Sequence, residues 1–239
     1  MKRLGVNIDH VATVRNARGA LHPDPVTIAK HTMSCGAHSV TIHLREDRRH
    51  IKDEDVIKIC KNKKIITNLE ISLNEDIIKI ALRNKPNFIC IVPEKRKEVT
   101  TEGGLNLSKN FNRIKKTIKK FNNRNIRTSL FINPNIKDIK ISKELNVDCI
   151  EIHTGKFSDL VKNKKKYKYE FKKIKRCCDL AKKIGLEVHA GHGLDYKSTS
   201  ILSKLKEIQE FNIGHFIIGE SIIHGLKDTI KRFKRISNK

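Results

Sequence analysis

A short apolar run, a turn and an amphipathic stretch recur eight times along the 239 residues. The apolar runs cover residues 4–8, 39–44, 65–71, 87–92, 127–132, 148–153, 187–190 and 215–218. They are rich in Val and Ile and bounded by Gly, Pro, Asn or Asp, which predicts strands. Helical periodicity fills the intervals. One helix is predicted over 24–34, with Asp24 as N-cap and Pro25 in the first turn. Others are predicted from 53 to about 61, from 74 with Pro86 beyond its end, and from 108 to about 122. The rest are predicted over 135–145, over 167–184 with Gly185 as the stop, and over 198–210 and 221–236.

Strands and helices in strict alternation predict parallel βαβ units. Apolar strands predict burial on both faces of the sheet. An open doubly wound sheet that bound a dinucleotide would carry a glycine-rich turn after its first strand. Here that strand ends Asn7-Ile8-Asp9-His10, with no GxGxxG. The expected fold is therefore α/β, a single (β/α)8 TIM barrel, with residues 1–239 as one catalytic domain. Such a barrel commonly fills about 200–250 residues, and no Pro/Gly/Ser-rich linker divides the chain. Two connections are longer than a barrel needs: REDRRHIKDED after the second strand and PEKRKEVTTEGGLN after the fourth. Long loops on that side of a barrel cover the active-site mouth.

Composition narrows the classes. No segment approaches the ~18 uncharged apolar residues of a spanning helix. The apolar run behind Lys2 and Arg3 ends at Asp9, too short for a signal peptide. Neither a membrane nor secretion is expected. The six cysteines, at 35, 60, 90, 149, 177 and 178, form no CxxC pair and fall mostly in apolar runs. They read as buried free thiols of a reducing cytoplasm. The net charge of +25, from 51 Lys and Arg against 26 Asp and Glu, invites a nucleic-acid reading. Much of the excess lies in two stretches, 109–127 and 156–183, which interleave no aromatic stacking platform, and Trp is absent. Lysines on solvated helix faces account for that pattern, and RNA binding by those faces is the rival.

Catalytic groups of a (β/α)8 barrel lie at the C-terminal ends of its strands. Strand 1 ends with Asn7, Asp9 and His10, and strand 2 with His43 and Arg45, followed by Arg48, Arg49 and His50. Strand 3 carries Asn68 and Glu70. Strand 4 leads to Glu94, Lys95, Arg96, Thr100 and Thr101, and strand 5 to Asn133. Strand 6 carries Glu151 and His153, and strand 7 leads to His192 between Gly191 and Gly193. The eighth run begins at Gly214-His215. Each residue alone has an ordinary structural explanation; their convergence at one end is harder to explain that way. Carboxylates facing a barrel interior lose solvation and become bases suited to neutral pH. Arg18, Arg45 and His50 supply positive charge for a phosphate. Gly193 and Gly214 fall where barrels present backbone N–H groups to phosphate. A metal held by His43, His153 and His192 lacks any HxH or HExxH spacing, and no metal is expected. On these residues alone, proton-transfer chemistry on phosphorylated substrates leaves an aldolase, an isomerase or another phosphate-handling barrel open.

The segments GVNIDHVATVRNARG (5–19), TIHLREDRRHI (41–51), NLE (68–70), VPEKRKEVTTEGG (92–104), EIHTG (151–155), AGHGLDY (190–196) and NIGHFIIG (212–219) resemble the pyridoxine 5′-phosphate synthases, in matching order over nearly the whole chain. The resemblance implies a cytoplasmic (β/α)8 barrel with extra helices that assembles as a homo-octamer. It implies a ring-closing condensation of 1-deoxy-D-xylulose 5-phosphate with 3-amino-2-oxopropyl phosphate, a transferase step of vitamin B6 biosynthesis without metal or organic cofactor. It further implies His43 and Glu70 as proton acceptors, His192 as proton donor and Glu151 as transition-state stabiliser. Asn7, Gly193, Gly214 and His215 would hold the amino-ketone phosphate. Asp9, His10, Arg18, Arg45, His50 and Thr100 would contact the deoxyxylulose phosphate.

Overall fold

Parallel pairing of consecutive apolar runs generates a closed eight-stranded barrel in the computed structural model, which describes residues 1–94 and 103–238. In chain order the elements are β1 (Arg3–Asn7), α1 (Asp9–Arg18), α2 (Pro25–Ser34), β2 (Ser39–His43), α3 (Asp53–Lys61), β3 (Thr67–Ile71), α4 (Glu75–Asn84) and β4 (Phe88–Ile91). There follow α5 (Leu107–Asn122), β5 (Arg127–Ile132), α6 (Ile136–Glu144), β6 (Cys149–His153), α7 (Gly155–Lys162), α8 (Lys168–Lys183) and β7 (Glu187–Gly191). The chain closes with α9 (Tyr196–Leu202), β8 (Ile208–Ile213), α10 (His215–His224) and α11 (Leu226–Ser237). β1 pairs with β8, placing Gly5 opposite Asn212 and removing every sheet edge.

Local chemistry sets the boundaries. Asp24 accepts hydrogen bonds from the backbone amides of Val26 and Thr27 at the start of α2, and Asn74 does the same for α4 with Asp76 and Ile77. The long helix α5 buries Leu107, Ile114, Ile118 and Phe121 against the sheet and leaves Lys109, Lys115, Lys116 and Lys119 exposed. α8 follows the same scheme with Ile174, Cys177 and Cys178 buried. Both basic stretches thus contain an amphipathic helix whose lysines lie mostly on the solvent side. All six cysteines are free and buried.

The core lies between sheet and helices, where Leu4, Val6, Ile42, Leu69, Ile89, Ile150 and Phe211 are inaccessible to solvent. The barrel interior is different. Its inward positions are largely polar: Thr41 and His43, Asn68 and Glu70, Glu151, His189, Glu210 and Asn212 are buried or nearly so. A small apolar cluster of Cys90, Val92 and Phe131 interrupts them. The expectation of strands apolar on both faces therefore holds for the helix-facing side alone. The floor of the barrel is a charge network. Arg3 pairs with Glu187 and with Glu210 (2.6 Å), and Arg127 pairs with Glu187 at 3.1 Å. Glu187 is held well below the usual carboxylate range, chiefly by its 2.8 Å hydrogen bond with the His189 ring.

Three expectations change. The eighth strand is Ile208–Ile213, not 215–218, which lies inside α10. Residues 198–210 read as one helix, yet the helix stops at Leu202. The segment FNIGHFIIG is apolar throughout, so periodicity alone cannot separate strand from helix there. The break is Gly214, the N-cap of α10. The last predicted helix, 221–236, is two helices parted by Gly225 at φ 76°, a left-handed conformation that glycine adopts without steric cost. Helices α1 and α7 were not foreseen. Each follows its strand after a single residue, Ile8 or Thr154, as α10 follows β8 after Gly214.

Candidate active site

The C-terminal ends of the strands open into a cavity of about 440 Å3. Its base is lined by inward strand residues, among them His43, Glu70, Glu151 and Asn212, and its wall by Asn7, Asp9 and His10 at the β1–α1 junction. The rim carries Arg45, Arg49 and His50 from the segment after β2, and His192, Gly193, Gly214 and His215 from the last two strand ends. The structure thus gathers twelve of the fourteen expected residues around one space. Arg18 is exposed at the end of α1 and does not line it. Thr100 and Lys95 lie outside the described residues.

The wall is assembled by hydrogen bonds between neighbouring strand ends. Asn7 accepts from the backbone amide of Asp9 at 2.9 Å and donates its side-chain amide to Asp9 Oδ2 at 2.8 Å, a local Asx turn that starts α1. Asp9 Oδ1 accepts the backbone N–H of His43 at 2.8 Å, tying β1 to β2. His10 meets His215 edge-on at 4.9 Å between ring centroids. Burial, and then the neighbouring His215, lower the pKa of His10. Burial likewise lowers that of His50, against the opposing pull of Asp9.

Two buried carboxyl groups face this set of imidazoles. Glu70 is raised well above the ordinary carboxyl value, first by burial and then by the charges of Asp9 and Glu151. Burial pushes Glu151 up to about 7, while His189 and a 2.6 Å hydrogen bond from Asn212 pull it down. Glu70 lies 3.7 Å from His43 Nδ1. Across the cavity His192 stacks on His153 at 4.9 Å with an interplanar angle of 28°, and Phe131 contacts both rings edge-on. His153 is lowered to about 4, by burial and then by His192. Burial also lowers His192. The His192 backbone lies at φ 75°, left-handed, and Thr154 Oγ1 donates to the carbonyls of Gly191 and His192, both at 2.8 Å. Gly193 and Gly214 open onto an adjoining cavity of about 190 Å3 at the start of α10, where first-turn peptide N–H groups favour an anion.

Asn212, Thr13 and Phe131 belong to the cavity but were not singled out in the sequence. Asn212 was hidden by the misplaced eighth strand; with β8 ending at Ile213 it is the last inward residue of that strand. Thr13 lies one helical turn beyond Asp9 and His10, a relation that exists only once α1 is recognised. Phe131 carries no signal distinguishing it from core. Among the described residues, Asp9, His43 and His50 place ligand-type atoms within 4.8 Å of one another. Both Asp9 oxygens already accept hydrogen bonds, from His43 N and Asn7, so the group is poorly disposed to bind a metal.

A closed parallel barrel whose strand ends surround one cavity with raised carboxyls, imidazoles and arginines has the equipment of an acid–base enzyme acting on anionic substrates. The model of the family "Pyridoxal phosphate biosynthesis protein PdxJ" matches residues 4–239. The chain belongs to that family. It is 75% identical to the pyridoxine 5′-phosphate synthase of Pelagibacter ubique (strain HTCC1062) over 239 residues, all of both chains. It is 47% identical to that of Zymomonas mobilis over 232 residues, which cover 97% of this chain and 90% of the relative. Among solved structures it is similar to phosphoribosylanthranilate isomerase from Thermotoga maritima, with a TM-score of 0.60 at 12% identity, covering 99% and 98% of the two chains. It is also similar to tryptophan synthase from M. tuberculosis, with a TM-score of 0.63 at 7% identity, covering 99% and 92%. Those two likenesses concern the fold alone.

Proposed function

We propose that the protein is a pyridoxine 5′-phosphate synthase. It condenses 1-deoxy-D-xylulose 5-phosphate with 3-amino-2-oxopropyl phosphate to pyridoxine 5′-phosphate, phosphate and water, a transferase reaction of vitamin B6 biosynthesis. The observation that carries this reading is one cavity in which Glu70, Glu151, His43 and His192 share a space bounded by arginines on one side and the strand 7–8 glycines on the other. Joining an amine to a ketone, expelling water and phosphate, and aromatising a ring require repeated proton transfers and two anion sites. The groups around this cavity supply both, so the reaction needs neither metal nor organic cofactor.

His43 and Glu70 act as proton acceptors. The cationic amine of the substrate, by offsetting the charges of Asp9 and Glu151, favours the ionised form of Glu70 that can accept a proton. His192, whose pKa burial lowers, acts as the proton donor, delivering a proton it picks up during the reaction. Glu151, near 7, stabilises cationic character in the transition state. Asn7, Gly193, Gly214 and His215 hold the amino-ketone phosphate, and Asp9, His10, Arg45 and His50 the deoxyxylulose phosphate. Arg18 and Thr100 complete the second set, Arg18 from outside the cavity and Thr100 from the segment not described.

Residues 1–239 form one catalytic domain that works in the cytoplasm as a homo-octamer. No helix among the described residues is long and apolar enough to cross a membrane. Val14, Leu21, Ile222 and Ile223 are more than half exposed, a surface suited to contact between copies of the chain. The test of function is incubation of the purified, metal-stripped protein with both substrates. Formation of pyridoxine 5′-phosphate supports the reading; absence of product, where a reference synthase is active, refutes it.

A further inference from the structure

The carboxylate of Glu94, three residues beyond β4, has no part in the roles assigned above, yet it is one of the least exposed acidic side chains at the barrel mouth, at 2%. Its Oε1 accepts the backbone N–H of Glu46 at 2.8 Å and lies 3.8 Å from Arg45 Nε. Its Oε2 lies 3.7 Å from His43 Nε2. That separation is too long for a hydrogen bond, and among the described residues neither buried atom has a hydrogen-bond partner. Two orphaned polar atoms of complementary type thus face each other at 3.7 Å. The other ring nitrogen, Nδ1, lies 3.7 Å from Glu70 Oε2. The His43 ring therefore sits between two carboxyl groups, one on each nitrogen.

We propose that Glu94 is the positioning residue for His43: it accepts the Nε2 proton, fixes the tautomer whose Nδ1 lone pair faces Glu70 and the substrate, and stabilises the ring when it becomes an imidazolium. This rests on the reading of His43 as a proton acceptor. The two carboxyls differ in the required direction. Glu94 is lowered despite a burial cost, by His43, the Glu46 amide and Arg45, whereas Glu70 is raised. The ring thus has behind it a carboxyl whose surroundings favour the anion, and in front one with a raised affinity for a proton. Environments that split two carboxyls in this way assign their roles. Among the described residues, the other charged or titratable groups near His43 are Asp9, which accepts its backbone N–H, His50 at 5.9 Å between ring centroids, and Arg45. Among the described residues, neither Asp9 nor His50 forms a hydrogen bond with the ring nitrogens.

The test uses Glu94→Gln in the full-length enzyme. Gln keeps Oε1 for the Glu46 amide, so the loop stays anchored while the charge facing Nε2 is lost. Expected is a fall in kcat of about 10–100-fold, the usual scale for a group that orients a reacting one, with KM changed less than about threefold. Glu94→Asp should recover part of it. Nitrogen-15 shifts of labelled His43 should report Nε2–H in the wild type and a tautomer mixture in Glu94→Gln. In a His43→Ala background, Glu94→Gln should cost nothing further, because both changes remove one device. A wild-type kcat and an unchanged His43 tautomer in Glu94→Gln overturn the proposal, as does full additivity with His43→Ala. If His43→Ala alone leaves turnover intact, it is the underlying reading of His43 that fails.

Discussion

Asn212 donates its side-chain amide to Glu151 Oε2 at 2.6 Å, although the two residues rise from β8 and β6, two places apart in the barrel. Inward side chains of alternate strands share a layer in this architecture, which is how they meet. The bond favours the ionised carboxylate, so its removal must raise Glu151 beyond about 7.

Replacing Asn212 by Ser should therefore move the acidic limb of the kcat–pH profile upward by roughly one pH unit, since a hydrogen bond to a charged group is worth about 1.5–3 kcal/mol. A limb that stays in place would show that ionisation of Glu151 does not limit turnover.

The same carboxyl makes a prediction about stability. In the native state it holds its proton to about pH 7, while an ordinary carboxyl loses it near 4.5. A raised carboxyl destabilises the fold as pH climbs through that window. Glu151→Gln should match the wild type near pH 4.5 and exceed it by about 1–3 kcal/mol at pH 8 in urea titrations. Equal stability at both pH values would contradict this.

Gly191 has no room for a methyl group: a Cβ there would lie 2.0 Å from Glu151 Oε1 and 3.1 Å from the Asn212 carbonyl. Gly191→Ala should cost about 1–3 kcal/mol of stability and lower kcat at least ~10-fold through displacement of Glu151. Gly219 in α10 has nothing within 4 Å of the corresponding position, so Gly219→Ala should retain full activity and gain up to about 1 kcal/mol. Calorimetry and steady-state rates on the two variants decide the matter.

Arg15 grips Asp55 through two hydrogen bonds of 2.7 and 2.9 Å, and also donates to the carbonyl of His50 at 3.1 Å. Asp55→Asn should lower unfolding free energy by about 3–5 kcal/mol, because it strands a buried guanidinium. It should also raise KM for the deoxyxylulose phosphate by releasing the segment that carries His50. A loss below about 1 kcal/mol would mean that solvent screens the pair.

Glu70→Gln and His43→Ala should each reduce kcat at least ~10²-fold with the fold intact, the scale of losing an acid–base group. Rates near wild type would return both residues to a structural role.

Most of this arrangement was legible in the sequence because strand ends are marked by chemistry. Asn7, His43, Glu70 and Glu151 stand out as polar residues on short apolar strands, and the structure brings them to one cavity. What escaped did so for identifiable reasons. The apolar run through Phe211, Ile213, Phe216 and Ile218 has no period that separates strand from helix, so β8 was displaced and Asn212 lost with it. The polarity of the barrel interior could not be read from hydrophobic runs, since inward polar residues such as Thr41, His43, Glu70 and Glu151 are flanked by outward Val, Ile or Leu. His43 and Glu94, 3.7 Å apart, are 51 positions apart in the chain, and only the pairing of β2 and β4 with β3 brings them near each other.

The one-residue joints at Ile8, Thr154 and Gly214 carry a consequence for how this enzyme can change over time. Each hands the chain from strand to helix with no slack, so an insertion or deletion of one residue would swing the helix start by about 100°. At Ile8 or Gly214 that would turn Asp9 and His10, or His215, away from the cavity. Length variation is thus closed to those three corners. The longer stretches after β2 and β4 carry no such constraint, and lineages that explore new substrates should carry their insertions there.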